Sequence, residues 1–168
     1  MPGSNGSDAV DDRTALIGRE AFAGAALQAL ERARRELLIV SQALEPAAYD
    51  CDGFVAPLQE LLLSSPRARL RGLIADPQQV MHAGAHRLVE LCLRLPSRCE
   101  LRQPDESAPA PWPELLLADE RCALLRLPGE RLVARFIESP LEVQRLRGDF
   151  DAAWAPARPS PELRRLDL

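Results

Sequence analysis

The stretch that decides the fold is "PWPELLLADERCALLRL", residues 111–127. Leu115 to Ala118 and Cys122 to Leu127 are short apolar runs, and a polar corner, Asp119-Glu120-Arg121, stands between them. Two such runs joined by a short polar turn read as a β-hairpin. The chain enters it through Trp112-Pro113-Glu114, so an indole and a carboxylate stand seven and five residues ahead of Asp119. Leu115, Leu117, Leu124 and Leu125 are expected to pack, Trp112 to cap the edge of the core, and Asp119 to support the turn.

Upstream, apolar periodicities alternate between helix and strand. In "EAFAGAALQALERARR" (20–35), Phe22, Ala26, Leu30 and Ala33 recur at three- and four-residue steps, as in an amphipathic helix. "ELLIVSQAL" (36–44) is a continuous apolar run of the kind a strand covered on both faces shows. "EPAAYDCDG" reads as a loop, and "FVAPLQELLLSS" (54–65) as a helix with Pro57 near its first turn. "ARLRGLIAD" (68–76) alternates and stops at Asp76-Pro77, a strand and a turn. "PQQVMHAGAHRLVELCLRLPS" (77–97) is expected as one helix, with Met81, Ala85, Leu88, Cys92 and Leu95 along one stripe. "CELRQ" is a short strand, and "PDESAPAPWP" a proline-rich loop with few N–H groups to pair.

Beyond the hairpin, "ERLVARFIE" (130–138) reads as a strand. "SPLEVQRLRGDFDAAW" (139–154) reads as a helix capped by Ser139, with Pro140 first and Glu142 third. This order predicts an α/β fold, a mixed, mainly parallel sheet with helices on both faces. Residues 1–12 are expected to be a disordered tail, 13–155 one domain, and 156–168 a loosely attached proline-rich tail.

The chain has 168 residues, 46% hydrophobic and 27% charged, with a net charge of −4. That acidic balance argues against a general nucleic-acid binder. All 21 basic residues are arginines, which excludes Schiff-base chemistry, a P-loop and any catalytic lysine. No apolar run is long enough to span a bilayer and the start lacks a signal-peptide pattern, so a cytoplasmic location without membrane contact is expected. Cys51, Cys92, Cys99 and Cys122 form no CxxC pair and read as reduced thiols.

The element order, with "ALERARRELLIVSQAL", "LRGLIAD", "ELLLADERCALLRL" and a closing "FDAAW" of the Phe-x-x-x-Trp type, resembles one half of the phospholipase D-like superfamily over residues 20–155. The signature of that family is His-x-Lys, four residues, then Asp. Its histidine attacks phosphorus and its lysine holds the phosphate oxygens. Laid on this sequence, the Asp falls on Asp119, the lysine position on Glu114 and the histidine position on Trp112. The Gly-Ser-x-Asn turn of the family has only "LPGER" to answer it. An indole offers no lone pair for attack on phosphorus. A carboxylate about 4 Å from a phosphate is repelled by ~1 kcal/mol in water and ~4 near a protein surface. The resemblance therefore implies a degenerate half-domain without phosphodiesterase chemistry. It also implies a homodimer, since single-half members often dimerise. The chain resembles, too, bacterial stretches that accompany acyltransferase domains, which implies a protein partner of that kind.

Three other constellations compete with that reading. Asp76 ends an expected parallel strand, beyond which ligands of open α/β sheets bind. Ser41, Glu45, His82, His86, Arg87 and Glu138 could join it on one rim, and an Asp76–histidine pair could do acid–base work. Asp76 could equally cap the helix that starts at Pro77. The His82-x-x-x-His86 spacing matches metal sites but lacks the adjacent glutamate of metalloproteases, and Cys92 falls on the apolar stripe, so no metal and no cofactor are expected. Arg67, Arg69 and Arg71 alternate onto one strand face and could meet nucleic acid or a phosphate ligand. The function expected is a catalytically inactive binding, regulatory or dimerisation module. Ligand contacts are placed on Asp76, His86, Arg87, Asp119 and Glu138.

Overall fold

The apolar run after the first helix becomes the middle of the sheet. In the computed structural model, which describes residues 15–82, 84–108, 112–129 and 132–164, β2 (Glu36–Ser41) is buried from Leu37 onward. It pairs in parallel with β3 (Arg69–Ile74) and antiparallel with β5 (Glu114–Ala118). With β1 (Ala15–Ile17), β4 (Cys99–Gln103), β6 (Cys122–Arg126), β7 (Val133–Ile137) and β8 (Arg158–Pro159), the described strands form one sheet in the order β1-β7-β6-β5-β2-β3-β4-β8.

Successive side chains on these strands point to opposite faces, so the leucine-rich runs feed two cores. Leu37, Ile39, Leu116, Ala118 and Leu124 pack against α1 (Arg19–Arg32), α2 (Pro46–Tyr49), α3 (Asp52–Ser64) and α5 (Arg87–Arg94). Leu38, Val40, Leu73, Leu115, Leu117 and Leu125 pack against Val143, Leu146, Phe150 and Trp154 of α6 (Pro140–Trp154). The expected α/β architecture with a mixed sheet and helices on both faces is the one the chain adopts. Its parallel share is smaller than expected. Only β2, β3 and β4 run parallel, and the other five pairings among the described strands are antiparallel. The reason is local: β5, β6 and β7 follow one another through short turns, and a short turn can only join antiparallel neighbours.

Three helices differ from expectation. The segment 45–53 is not all loop, because it holds the single turn α2. Helix α3 starts at Asp52, which puts Pro57 inside it rather than in its first turn. The single helix expected over 77–97 is two, α4 (Pro77–His82) and α5, parted at Gly84, whose φ of +95° is open to glycine and strained for other residues. His82 and His86 therefore do not share a helix face.

The segment after α6 is also bound more closely than a loose tail. Arg158 and Pro159 pair with β4, Ala157 enters the core under α6, and Leu163 is buried beside α5 and β4. The expected disordered tail, residues 1–12, lies outside the described residues. None of the described helices is long and apolar enough to cross a membrane.

Candidate functional site

The two ends of β5 face different surroundings. At its far end, Asp119 adopts φ +51°, a left-handed conformation that aspartate tolerates better than most residues. Its carboxylate accepts the backbone N–H of Arg34 (2.7 Å), Arg35 (3.0 Å) and Glu36 (2.8 Å), where α1 hands over to β2. Its own N–H donates to the Glu36 carbonyl. Asp119 is thus a clasp between the hairpin and the start of the central strand. Beside it lies an open groove of about 540 Å³ lined by Arg34, Arg35, Glu36, Glu120, Arg121 and Arg147. Of the four arginines lining it, Arg147 is paired with Glu36 at 2.6 Å, and the same carboxylate takes Arg71 at 2.6 Å.

At the near end, Glu114 is buried, with 7% of its surface exposed. A carboxyl in such a place needs donors. Oε1 accepts the N–H of Gln42 at 2.9 Å. Oε2 has no partner among the described residues. Burial holds this carboxyl above the usual carboxylate range, against the lowering pull of the nearby Ser41 hydroxyl, the Gln42 N–H and the Arg126 charge. Arg126 is the cross-strand partner of Glu114 in the hairpin register, and its guanidinium lies over the Phe22 ring at 4.9 Å. Its Nη1 is likewise buried without a partner, and so is the hydroxyl of Tyr49, a phenol kept neutral by burial and by the nearby Glu114.

Glu114 and Arg126 line a cavity of about 420 Å³ beyond the carboxyl end of β2. The loop after β2 contributes Gln42, Ala43, Glu45 and Asp50, and the α4–α5 break contributes His82 and His86. This is the crevice position at which open α/β sheets bind ligands. Leu44 holds the loop in place at φ +53°, its N–H bound to Ser41 Oγ and its carbonyl to His86 Nε2 at 3.3 Å. His86 Nδ1 accepts the Leu88 N–H and caps α5, which leaves Nε2 as the protonated nitrogen. Burial pushes its pKa below the ordinary histidine value.

A pH effect follows from Glu114. A carboxyl whose folded pKa is raised binds more protons than the unfolded chain just above the unfolded value. Its contribution to stability is therefore full below that value and lost as pH rises through the folded pKa. A glutamine side chain at the same position cannot ionise. The melting temperature of Glu114→Gln relative to the parent chain is expected to climb as pH is raised from about 4 to 7. A difference that stays flat or falls in thermal melts would show that Glu114 is not held up by burial.

The candidate residues thus separate. Glu114, His82 and His86 share the cavity with Glu45. Asp76 caps α4, accepting the Gln79 N–H at 3.0 Å, and both ring nitrogens of His86 are engaged elsewhere. Arg87 sends its side chain to Asp52 and its N–H to Asp50. Trp112 packs into the core under α6, on the other side of the sheet from the cavity. Glu138 lies at the opposite end of the sheet, paired with Arg32, because β7 runs antiparallel to β2 rather than parallel. Asp119 and Glu114 are not one corner: five strand steps of about 3.3 Å each put them roughly 16 Å apart. Of the three arginines on the β3 side, Arg71 is covered by α6, over Phe150 and Trp154. No described group of three or more His, Cys, Asp or Glu residues is placed to hold a metal ion.

Sequence reasoning missed Arg126, Tyr49 and Asp50. Arg126 had a signal: once Ala118 faces Cys122 across the turn, four further steps on each strand bring Glu114 opposite Arg126.

Solved structures, phospholipase D family members among them, superpose on this fold. NucT from Helicobacter pylori superposes with a TM-score of 0.60 at 5% identity, covering 88% of this chain and 98% of that one. Nuc from Salmonella typhimurium, a phospholipase D family member, does so with a TM-score of 0.53 at 10% identity, over 80% and 88%. TrmBL2, an archaeal chromatin protein whose structure shows a novel mode of DNA binding, gives a TM-score of 0.64 at 14% identity. It is covered over 53% of its length by 87% of this chain, which therefore spans about half of that protein. At these identities the likeness is one of fold, and the fold is phospholipase D-like. The model of the family described as "Domain of unknown function (DUF7931)" matches residues 18–166, and the chain belongs to that family. No curated protein matches it.

Proposed function

We propose that this chain is a phospholipase D-like module that binds a small polar ligand in the Glu114 cavity and does not cleave phosphodiesters. One observation carries the reading. A buried carboxylate with an oxygen unpartnered among the described residues lines the cavity at the sequence position where the resembling family keeps its phosphate-holding lysine. Trp112, at the histidine position, packs into the core on the other side of the sheet and cannot attack a ligand there. The alternative enzyme site loses support, because Asp76 is spent on its helix cap and His86 on Leu44 and Leu88.

With bis(4-nitrophenyl) phosphate, turnover is expected at the buffer rate. A panel of small polar fragments is expected to shift the amide resonances of Gln42, Ala43 and Gly84. Turnover above buffer, or silence of those amides toward every fragment, defeats the reading. A homodimer belongs to the same proposal, and the exposed Ile17, Leu127 and Val133 at the β1–β7 side are the surface we assign to it. Sedimentation that returns a monomer mass at high protein concentration counts against it.

Nucleic-acid binding is a second reading, favoured by the DNA-binding archaeal neighbour. The net charge of −4 and the pairing of Arg32, Arg71, Arg102, Arg135 and Arg147 with carboxylates weigh against it. Retention on heparin that falls steeply with salt would favour this reading.

A further inference from the structure

The cavity offers a matched pair of unmet needs. The hairpin register sets Glu114 opposite Arg126, yet Glu114 Oε2 lacks a donor and Arg126 Nη1 lacks an acceptor among the described residues. Both side chains line the cavity. A buried carboxylate and guanidinium in the same wall, each with one unused valence, fit a molecule that carries a donor and an acceptor close together.

The charges facing the pair narrow the class. From β5 and β6 come Glu114 and Arg126. The loop after β2 and the α2–α3 junction bring Glu45 and Asp50, and the α4–α5 break brings His82 and His86. Glu45 is half engaged by the exposed Arg19 at 3.8 Å. Three carboxylates thus face one guanidinium, and the field favours a ligand with a cationic end. A simple anion such as phosphate would meet the excess of acids. A simple amine would leave Nη1 unpaired, and a simple carboxylate would leave Oε2 unpaired. A volume of about 420 Å³ is at the small end for ligand pockets.

We infer that the cavity takes a compact zwitterion of the amino-acid type, its ammonium group toward Glu114 and its carboxylate toward Arg126. The inference rests on the ligand-binding reading above and specifies its ligand class.

The test is a titration of the ¹⁵N-labelled full chain with glycine, L-alanine and L-glutamine, beside ethylamine, acetate, glycerol and inorganic phosphate. The amino acids are expected to shift the amides of Gln42, Ala43, Gly84 and Ala85 saturably. They are expected to bind at least about tenfold more tightly than ethylamine or acetate, since each of those lacks one charged contact. Glu114→Gln and Arg126→Gln are each expected to weaken amino-acid binding about tenfold or more. The ranking of probes on the unaltered chain stands even if a variant fails to fold. If glycerol or phosphate moves these amides and the amino acids do not, this inference falls while the ligand-binding reading survives. If amino acids bind no better than ethylamine or acetate, the zwitterion is likewise overturned. If neither these probes nor the fragment panel moves them, both fall.

Discussion

Replacing Asp119 by alanine is expected to lower the free energy of unfolding by about 3 kcal/mol. Two effects add. The carboxylate accepts three backbone N–H groups, from Arg34, Arg35 and Glu36, at the point where α1 passes into the central strand. Hydrogen bonds to a charged acceptor are each worth about 1.5–3 kcal/mol, and here water can re-solvate part of what is lost because the site is half-buried. Alanine also sits poorly at φ +51°, a conformation costing roughly 1 kcal/mol for a residue with Cβ and no local polar group. Asp119→Asn keeps the conformation and one acceptor oxygen, and about half the loss is expected there. Urea unfolding reads both. A loss under about 1 kcal/mol for alanine would mean that the hairpin holds β2 without the clasp.

Trp154→Ala is the second large effect, with about 4 kcal/mol expected in the same measurement. Trp154 is buried, with 8% of its surface exposed, and stacks on Phe150 one helical turn earlier at 5.6 Å between ring centroids. The Arg102 guanidinium lies 4.2 Å from its ring centroid and donates to the Trp154 carbonyl, and Arg71 stands 5.5 Å away. The ring therefore anchors α6 to β3 and β4 and gives two arginines an aromatic face. Truncation removes the packing and leaves a cavity between helix and sheet. Trp154→Phe keeps the apolar disc and should recover most of the loss; recovery of none would assign the effect to the indole geometry alone.

The strands of this chain are readable because they are unusually pure. "LLIV" in β2 and "LLL" in β5 are buried on both faces and admit little else. The hairpin was legible from its polar corner, and the end of α6 from Phe150 and Trp154. Strand direction was harder, since alternation of helix and strand holds only as far as β4, after which short turns reverse the chain. The break at Gly84 was hidden because a glycine inside a helical pattern does not by itself declare a positive φ. That single break carried the two histidines off a common helix face. The cavity was only half legible. Glu114 stood out as a misplaced charge at the door of an apolar run, but Tyr49, Asp50 and Arg126 gain meaning only when distant segments meet.

The two outermost strands have an asymmetric consequence for how this sheet meets other chains. On one flank, β8 offers just Arg158 and Pro159, and proline has no N–H to give, so an incoming strand finds at most one donor there. On the other flank, β1 offers three residues, with Ile17 exposed and no proline among them. A short, blunted edge resists uncontrolled growth. Among the described strands, the β1 flank is therefore the edge better supplied with backbone donors for an incoming strand.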